Sequence, residues 1–147
     1  MAKILTTSFM FNPSLTADSF NQMSKGLLPE LVGIQILSVA ENKIIAEMPI
    51  KKKLFAPNGF VHAGSIISLA DSVAGISTVA HLPENGKSFT TLELKSNFIR
   101  GQREGTLIAE SEPEHLGRTT QVWRVIVRDK ESRKQVAIFS CTQLILY

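Results

Sequence analysis

The chain has 147 residues, a single cysteine and a formal net charge of +3. This length is typical of one domain with its own core, so we predict a single domain over residues 1–147, in which residues 1–29 are an N-terminal extension with a short helix. The composition, 44% hydrophobic and 20% charged, is not that of a disordered chain. One cysteine excludes an internal disulfide framework and favours a reducing compartment. Because the N-terminus also lacks the pattern of a secretory signal, we expect a cytoplasmic protein.

The small basic excess is spread along the chain, and its only tight cluster is the run 51–53. Nucleic-acid-binding domains concentrate Lys and Arg in a stripe or a recognisable motif, and neither is found here. The apolar runs are also too short for a confident membrane span. We therefore expect neither nucleic acid nor membrane as a partner, and a ligand with a few phosphates suits this charge better.

The first part of the chain predicts a short helix followed by a hairpin. Residues 16–27 place apolar side chains at helical spacing, which predicts a short amphipathic helix. Residues 32–40 and 43–50 are rich in Val and Ile, and Asn42 lies between them, so they predict two strands with a tight turn. Residues 51–60 then read as a loop with Pro, Asn and Gly.

The rest of the chain predicts one buried helix and four strands. Residues 62–80 are apolar in nearly every direction around a helix, which is typical of a helix buried on all sides. The four strands are predicted at residues 90–100, 105–115, 119–129 and 134–147. We therefore predict an α+β fold in which a curled antiparallel sheet wraps around one long central helix.

Asp71 is the only Asp, Glu, Lys or Arg between Lys53 and Glu84. A lone carboxylate inside a buried helix is costly unless it is hydrogen-bonded, paired or placed in a cavity. Ser68 and Ser72 are near enough on the helix to donate hydrogen bonds to it. We expect desolvation to raise its pKa, as in a general base or nucleophile. The alternative is a structural carboxylate that caps another group across the core.

The start of this helix is the second candidate feature. Ala63 and Gly64 are small and lie in the first turn, where backbone N–H groups are free and the helix dipole is positive. A ligand carbonyl can approach such amides as in an oxyanion hole, although tight packing is the plainer explanation. Gly64 and Asp71 are roughly 10 Å apart along the axis, too far for one small group to contact both. Two antiparallel helices from two subunits would bring them together, which favours a site at a two-fold interface.

The sequences PNGFVHAGSIISLADSVAG and TTLELKSNFIRGQREGTLIAESEPEHLGRTTQVWRVIVRD resemble the hotdog-fold thioesterases of the phenylacetate-degradation and 4-hydroxybenzoyl-CoA type. The likeness runs from about residue 30 to the C-terminus. Residues 62–64 read His-Ala-Gly where the family has His-Gly-Gly, and residues 69–71 read Leu-Ala-Asp. The resemblance implies metal-free hydrolysis of an acyl-CoA, with no cofactor because CoA is part of the substrate. It also implies a homodimer with shared active sites, assembled into a homotetramer.

The resemblance also implies roles for individual residues. Asp71 matches the family's acid, which activates water or attacks the thioester directly. The amide of Ala63, with Gly64 adjacent, matches the one that polarises the thioester carbonyl. Thr91 is the best match to a strand hydroxyl that places the water, and His62 matches a histidine that supports the helix start.

One position departs from the family pattern. Many members carry Asn or Gln six residues before the histidine, where the amide contacts the acid or the water, but this chain has Ala56. Asn58 is two residues further on and would replace that amide only with a changed loop. This departure raises the alternative of a slow or non-catalytic member.

The resemblance places the contacts to CoA phosphates on basic residues at strand ends. Arg suits such contacts because its guanidinium binds phosphate with two hydrogen bonds. The candidates are Arg100 and Arg103, then Lys95 and Arg118, with the lysines at 51–53 behind them.

Other classes of enzyme are not supported. No Gly-x-Ser-x-Gly elbow is present, the three histidines are too scattered for a metal motif, and Cys141 reads as a small core residue. Two rivals to a thioesterase remain: a hotdog hydratase or dehydratase, and a non-catalytic acyl-CoA-binding protein. The acyl group is left open, because the phenylalanines suit an aromatic or an aliphatic pocket; these are Phe55, Phe60, Phe89 and Phe98.

Overall fold

The computed structural model describes residues 11–147. Within this range the elements are α1 (Ala17–Met23), α2 (Leu28–Val32), β1 (Gln35–Ala40), β2 (Lys43–Pro49), a 3-10 turn (Lys52–Leu54), α3 (Ala63–Ala80), β3 (Ser88–Phe98), β4 (Thr106–Leu116), β5 (Thr120–Asp129) and β6 (Gln135–Leu146). The strands form one antiparallel sheet in the order β1-β2-β4-β5-β6-β3. Because α3 packs against β2 to β6, the predicted α+β fold with one long central helix is confirmed.

The first hairpin forms where it was predicted. β1 and β2 pair in antiparallel fashion, with Ala40 opposite Lys43. Asn42 in the turn has φ 62°, in the left-handed region that Asn tolerates better than most residues. The residue type at the turn therefore fixes the register of the hairpin.

The N-terminal extension differs from the prediction of one helix over residues 16–27. α1 is capped by Thr16, whose side chain accepts a hydrogen bond from the Ser19 amide, and the helix ends at Met23. A second helix, α2, follows and stops at Gly33 with φ 87°. The sequence pattern missed α2 because a helix of five residues is too short to show a periodicity.

α3 begins and ends close to the predicted bounds, but it is not buried on every side. One face packs against the sheet, with Ile66, Leu69, Ala70, Val73 and Ala74 buried. The opposite stripe is only partly covered by its own chain and consists of Gly64, Ile67, Ser68, Asp71, Ser72 and Gly75. The helix is long and apolar enough to cross a membrane, yet here it packs against the sheet as the core helix.

A buried polar network fixes the end of α3 to the sheet. The His81 ring accepts a hydrogen bond from the Asn42 amide at 2.9 Å and donates one to the Ser77 carbonyl at 2.7 Å. The carbonyl of His81 accepts from Gln121 at 2.7 Å, and the Gln121 amide oxygen accepts from Trp123 at 2.9 Å. Burial lowers the pKa of His81, so the ring stays neutral and keeps both bonds.

β3 forms one edge of the sheet and pairs only with β6 among the described elements. Large apolar side chains along and just after it are exposed: Leu92 by 56%, Leu94 by 38%, Phe98 by 45% and Ile99 by 55%. A long edge strand with exposed apolar groups is a template for pairing with another strand. The single chain therefore presents a surface suited to a partner.

Candidate active site

Asp71 lies midway along α3 on its partly covered stripe. Its Oδ1 atom is buried and has no hydrogen-bond partner among the described residues. Burial raises the pKa of Asp71, as expected from the sequence. The expectation that Ser68 or Ser72 donates to it is wrong for Ser68, whose hydroxyl donates to the Gly64 carbonyl at 2.8 Å; for Ser72 no hydrogen bond to Asp71 is found. The carboxylate is therefore destabilised in its charged form, as a general base requires.

Cys141 lies on β6 with its thiol buried in the core. Burial, followed by the negative charges of Asp71 and Glu93, raises the pKa of Cys141 to about 12. The thiol is fully buried and stays protonated at neutral pH, so it is a core group rather than a nucleophile.

The histidine before α3 caps the helix with its side chain. His62 Nδ1 accepts a hydrogen bond from the Gly64 amide at 2.8 Å, and its carbonyl accepts from the Ser65 amide at 2.9 Å. The Gly64 amide is therefore occupied. No hydrogen bond of the Ala63 amide is found within residues 11–147, so Ala63 is the candidate oxyanion donor that is left.

A groove of about 420 Å³ lies against the start of α3. Its lining includes Asn58, His62, Ala63, Ile66, Phe98 and Arg100. Asn58 uses its side-chain oxygen to accept a hydrogen bond from the Phe60 amide at 3.2 Å, which stabilises the loop. Ala56 also lines this groove and brings only a methyl group to it.

A second groove of about 670 Å³ shares Arg100 with the first. The Arg103 guanidinium lies 4.1 Å from the centre of the Phe60 ring. Gly101 allows this arrangement, because a Cβ atom there would lie 2.8 Å from the Phe60 ring. Three acidic residues also line this groove, namely Glu104, Asp129 and Glu131. They offset the charges of Arg100, Arg103 and Lys134, so any phosphate bound here depends on direct contacts rather than on a general positive potential.

The remaining predicted residues are spread along the sheet. Thr91 lies opposite Gln143, on the face that β6 turns towards α3, whereas Lys95 lies opposite Ser140 on the other face. Arg118 is in the turn between β4 and β5, at the end of the sheet farther from Arg100. With about 3.3 Å per residue, these two ends are roughly 30 Å apart. One chain therefore brings Arg100 and Arg103 together but not Lys95 or Arg118.

One chain also does not bring the carboxylate to the helix start. Ala63 and Asp71 are eight residues apart on α3, so about 12 Å apart along its axis. A single thioester cannot contact both groups at this separation. A second chain is needed to complete a site that uses the two together.

Two polar residues on the inner face of the sheet, Ser96 and Gln143, were missed by the sequence interpretation. Gln143 is fully buried, and the side-chain oxygens of Ser96 and Gln143 have no hydrogen-bond partner among the described residues. A signal was present for Gln143, because it occupies an inward position in a strand whose other inward positions are apolar. That alternation becomes informative only once the strand is known to face the carboxylate.

Comparisons with known proteins agree with this architecture. Residues 58–136 match the thioesterase superfamily. The chain is 31% identical over 115 residues to a 1,4-dihydroxy-2-naphthoyl-CoA hydrolase from Listeria monocytogenes, a match that covers 78% of this chain and 92% of that protein.

Solved structures give the same result. A crystal structure of a mutant of thioesterase PA1618 from Pseudomonas aeruginosa shares 26% identity with a TM-score of 0.87, covering 95% of this chain and 99% of that one. Thioesterase HI1161 from Haemophilus influenzae shares 27% identity with a TM-score of 0.86, covering 95% of each chain. The PaaI protein of the E. coli phenylacetic acid degradation operon, at 20% identity and TM-score 0.77 over 88% of this chain and 91% of its own, shares the fold.

The predicted resemblance to the hotdog thioesterases is thereby confirmed. The match to the family covers more than half of the chain, and the antiparallel sheet around one long helix is shared with solved thioesterase structures over nearly the full length. The chain belongs to the thioesterase superfamily and is a hotdog-fold enzyme that acts on thioesters.

Proposed function

We propose that the protein hydrolyses an acyl-CoA thioester to the free acid and CoA. The observation that carries this proposal is Asp71, a carboxylate on the central helix with an unpartnered oxygen and a raised pKa. The Listeria monocytogenes relative is a hydrolase of an acyl-CoA, which supports a CoA thioester as the substrate class. The proposal requires no metal and no cofactor, because CoA is part of the substrate.

In the proposed reaction the Ala63 amide of one subunit donates a hydrogen bond to the thioester oxygen. Asp71 of the other subunit takes a proton from water, with Thr91 orienting that water. The water oxygen forms a bond to the carbonyl carbon, and negative charge develops on the oxygen held by the amide. The carbon–sulfur bond then breaks, the proton passes from Asp71 to the sulfur, and CoA leaves as a free thiol.

This mechanism requires a homodimer, and the edge strand β3 supports one. Its exposed apolar residues, Leu92, Leu94, Phe98 and Ile99, are those expected to be covered by a second copy. Antiparallel pairing of two β3 strands would place the helix start of one chain beside the middle of the other chain's helix. The dimer would therefore have two equivalent sites, each with the Ala63 amide of one chain and the Asp71 carboxylate of the other.

A homotetramer in the cytoplasm is also proposed. A second exposed apolar surface lies on the segment of α1 and α2, where Met23, Leu27, Leu28 and Leu31 are each more than half exposed. Surfaces of this kind commonly mark contacts between proteins. It would serve for pairing two dimers without blocking β3.

Arg100 is proposed to bind a phosphate of CoA, because it lines both grooves beside the helix start. Replacing Arg100 with Ala should raise KM for an acyl-CoA by about tenfold through loss of a charge-assisted hydrogen bond. The same acyl group on N-acetylcysteamine, which has no phosphate, should show an unchanged KM. The matched control is Arg124→Ala, which removes one exposed arginine that pairs with Glu112 and Glu114 instead. Equal effects on both substrates would contradict a phosphate contact.

The function itself is tested by measuring release of free thiol from a panel of aromatic and aliphatic acyl-CoAs. We expect turnover of at least one class of acyl-CoA at a rate well above its uncatalysed hydrolysis in buffer. That result identifies the acyl group. Binding of acyl-CoA with no turnover on any member would favour the non-catalytic acyl-CoA-binding protein. The missing amide at Ala56 is the observation that keeps this second candidate open.

A further inference from the structure

Three buried side-chain polar atoms within residues 11–147 have no hydrogen-bond partner. They are Asp71 Oδ1, Ser96 Oγ and Gln143 Oε1. Buried polar atoms in native proteins are nearly always paired, and each exception calls for an explanation. The three exceptions here concern one region of the molecule.

The sheet brings Ser96 and Gln143 to the same face. Alternate residues of β6 are fully buried towards α3, among them Phe139, Cys141 and Gln143. Ser96 lies opposite Phe139 on β3, so it shares that inward row. Cys141 lies between the two unpartnered groups.

Asp71 lies one helical turn before Gly75, where a Cβ atom would lie 3.2 Å from the Phe89 ring. Phe89 is two residues before Thr91, which lies opposite Gln143, so Asp71 faces the same part of the sheet as Gln143.

The charge of Asp71 contributes to the raised pKa of the Cys141 thiol, and the Gln143 amide donates to the Cys141 sulfur at 3.4 Å. Cys141 therefore contacts the Gln143 amide and senses the charge of Asp71. The amide oxygen of Gln143 and Oδ1 of Asp71 both lack a hydrogen-bond partner among the described residues.

We infer that Gln143 is a positioning residue for Asp71, whose side-chain amide acts as the hydrogen-bond partner of the carboxyl group during the reaction. This inference rests on the proposed role of Asp71 as the base. A side-chain amide accepts a hydrogen bond through its oxygen and donates through its nitrogen. It therefore suits a carboxyl group that gains and loses a proton in each turnover: the oxygen accepts from the protonated form, and the rotated amide donates to the ionised form.

The inference also accounts for the departure at Ala56. The loop position that holds an amide in the family pattern has only a methyl group here, and Asn58 uses its oxygen within the loop. Gln143 offers a buried amide from the sheet instead of from the loop. A site assembled in this way keeps an amide close to its acid although the loop does not provide one.

Gln121 provides a matched control for this role. It lies directly opposite Gln143 on β5, and both side chains are fully buried. The side chain of Gln121 is satisfied at both ends, by the His81 carbonyl and by Trp123. Gln121 is therefore a structural residue at the same depth of the core.

The test compares Gln143→Leu with Gln121→Leu. Gln143→Leu should lower kcat by about tenfold or more with KM within about twofold, and the acid limb of the kcat–pH profile should move to lower pH, because the free amide oxygen that accepts a hydrogen bond from the protonated carboxyl group is lost. Its melting temperature should be unchanged or higher, because the substitution removes an unpartnered buried atom. Gln121→Leu should lower the melting temperature and leave kcat per folded molecule unchanged. If Gln143→Leu does not fold, Gln143→Met offers a side chain of similar length.

A second readout separates this inference from the proposed function. The pKa of the Asp71 carboxyl group is measured by NMR with carbon-13-labelled aspartate, in the wild type and in Gln143→Leu, without substrate. A lower pKa of Asp71 in the variant supports the contact even if no acyl-CoA is turned over. An unchanged pKa together with an unchanged kcat–pH profile would overturn the inference, whatever the natural substrate proves to be.

Discussion

Replacing Asp71 with Asn is expected to lower kcat by about 10²- to 10⁴-fold, the usual contribution of a general base. The amide has nearly the same shape as the carboxylate but cannot take a proton from water. Because the substitution leaves the grooves unchanged, acyl-CoA should bind as tightly as before. Thiol release and equilibrium binding, measured on the same preparation, check both halves of this prediction. Full activity in the variant would exclude Asp71 as the base and the proposed mechanism with it.

The same variant should be more stable than the wild type at neutral pH. The folded-state pKa of Asp71 is raised above the ordinary 3.8, so the unfolded chain holds fewer protons than the folded chain between these two values. Stability of the wild type therefore falls as the pH rises through this window, and Asn removes that loss. The variant should melt at a higher temperature than the wild type at pH 7.5, and the two proteins should melt at the same temperature at pH 3.5. A lower melting temperature of the variant at pH 7.5 would indicate a hydrogen-bonded structural carboxylate instead.

Ala63→Pro should remove the oxyanion donor without disturbing the helix, and should lower kcat by about 10²- to 10³-fold. Ala63 is the first residue of α3, a position where Pro is well accepted because its N–H has no partner within the helix. His62 has φ −64° and ψ 138°, a conformation that is favoured before Pro. Circular dichroism and the melting temperature provide the control for folding. Retained activity would exclude the Ala63 amide as the donor.

Mixing the two inactive variants tests the shared site. In a dimer of one Asp71→Asn chain and one Ala63→Pro chain, one site has both defects and the other has none. Random exchange of equal amounts of the two chains makes half of the dimers mixed. Because a two-fold dimer has two sites and only one is intact in each mixed dimer, about a quarter of the wild-type activity should return. If the carboxylate and the amide acted within one chain, no activity would return. Exchange is verified by mass spectrometry of differently tagged chains.

The fold was largely predictable, because the strongest patterns belong to the elements that form it. The alternation in the four later strands and the continuous apolar character of residues 62–80 were enough for the sheet and the central helix. The two errors have physical causes. α2 has only five residues, and the half-covered stripe of α3 consists of small residues, Ile67 and Asp71 that no other part of the chain covers fully.

Site residues were predictable only where a residue type is unusual for the segment that contains it. Asp71 is conspicuous because it is charged inside an apolar helix, and the start of α3 because its residues are small. The sequence could not distinguish Ala63 from Gly64, since that depends on the direction of the His62 ring. Gln143 was missed for a similar reason, because the residues opposite it lie on β3 and β5, far away in the sequence.

The exposed edge of β3 has a consequence for how this enzyme would be handled in solution. If each active site needs two chains, catalysis per chain depends on the concentration of the protein itself. Dilution towards the dissociation constant of the dimer would inactivate chains that are individually well folded. A concentrated stock and a dilute assay would then contain different fractions of active enzyme. The uncovered strand would meanwhile be open to the wrong partner, so inactive dilute samples would also be those most prone to aggregate on reconcentration.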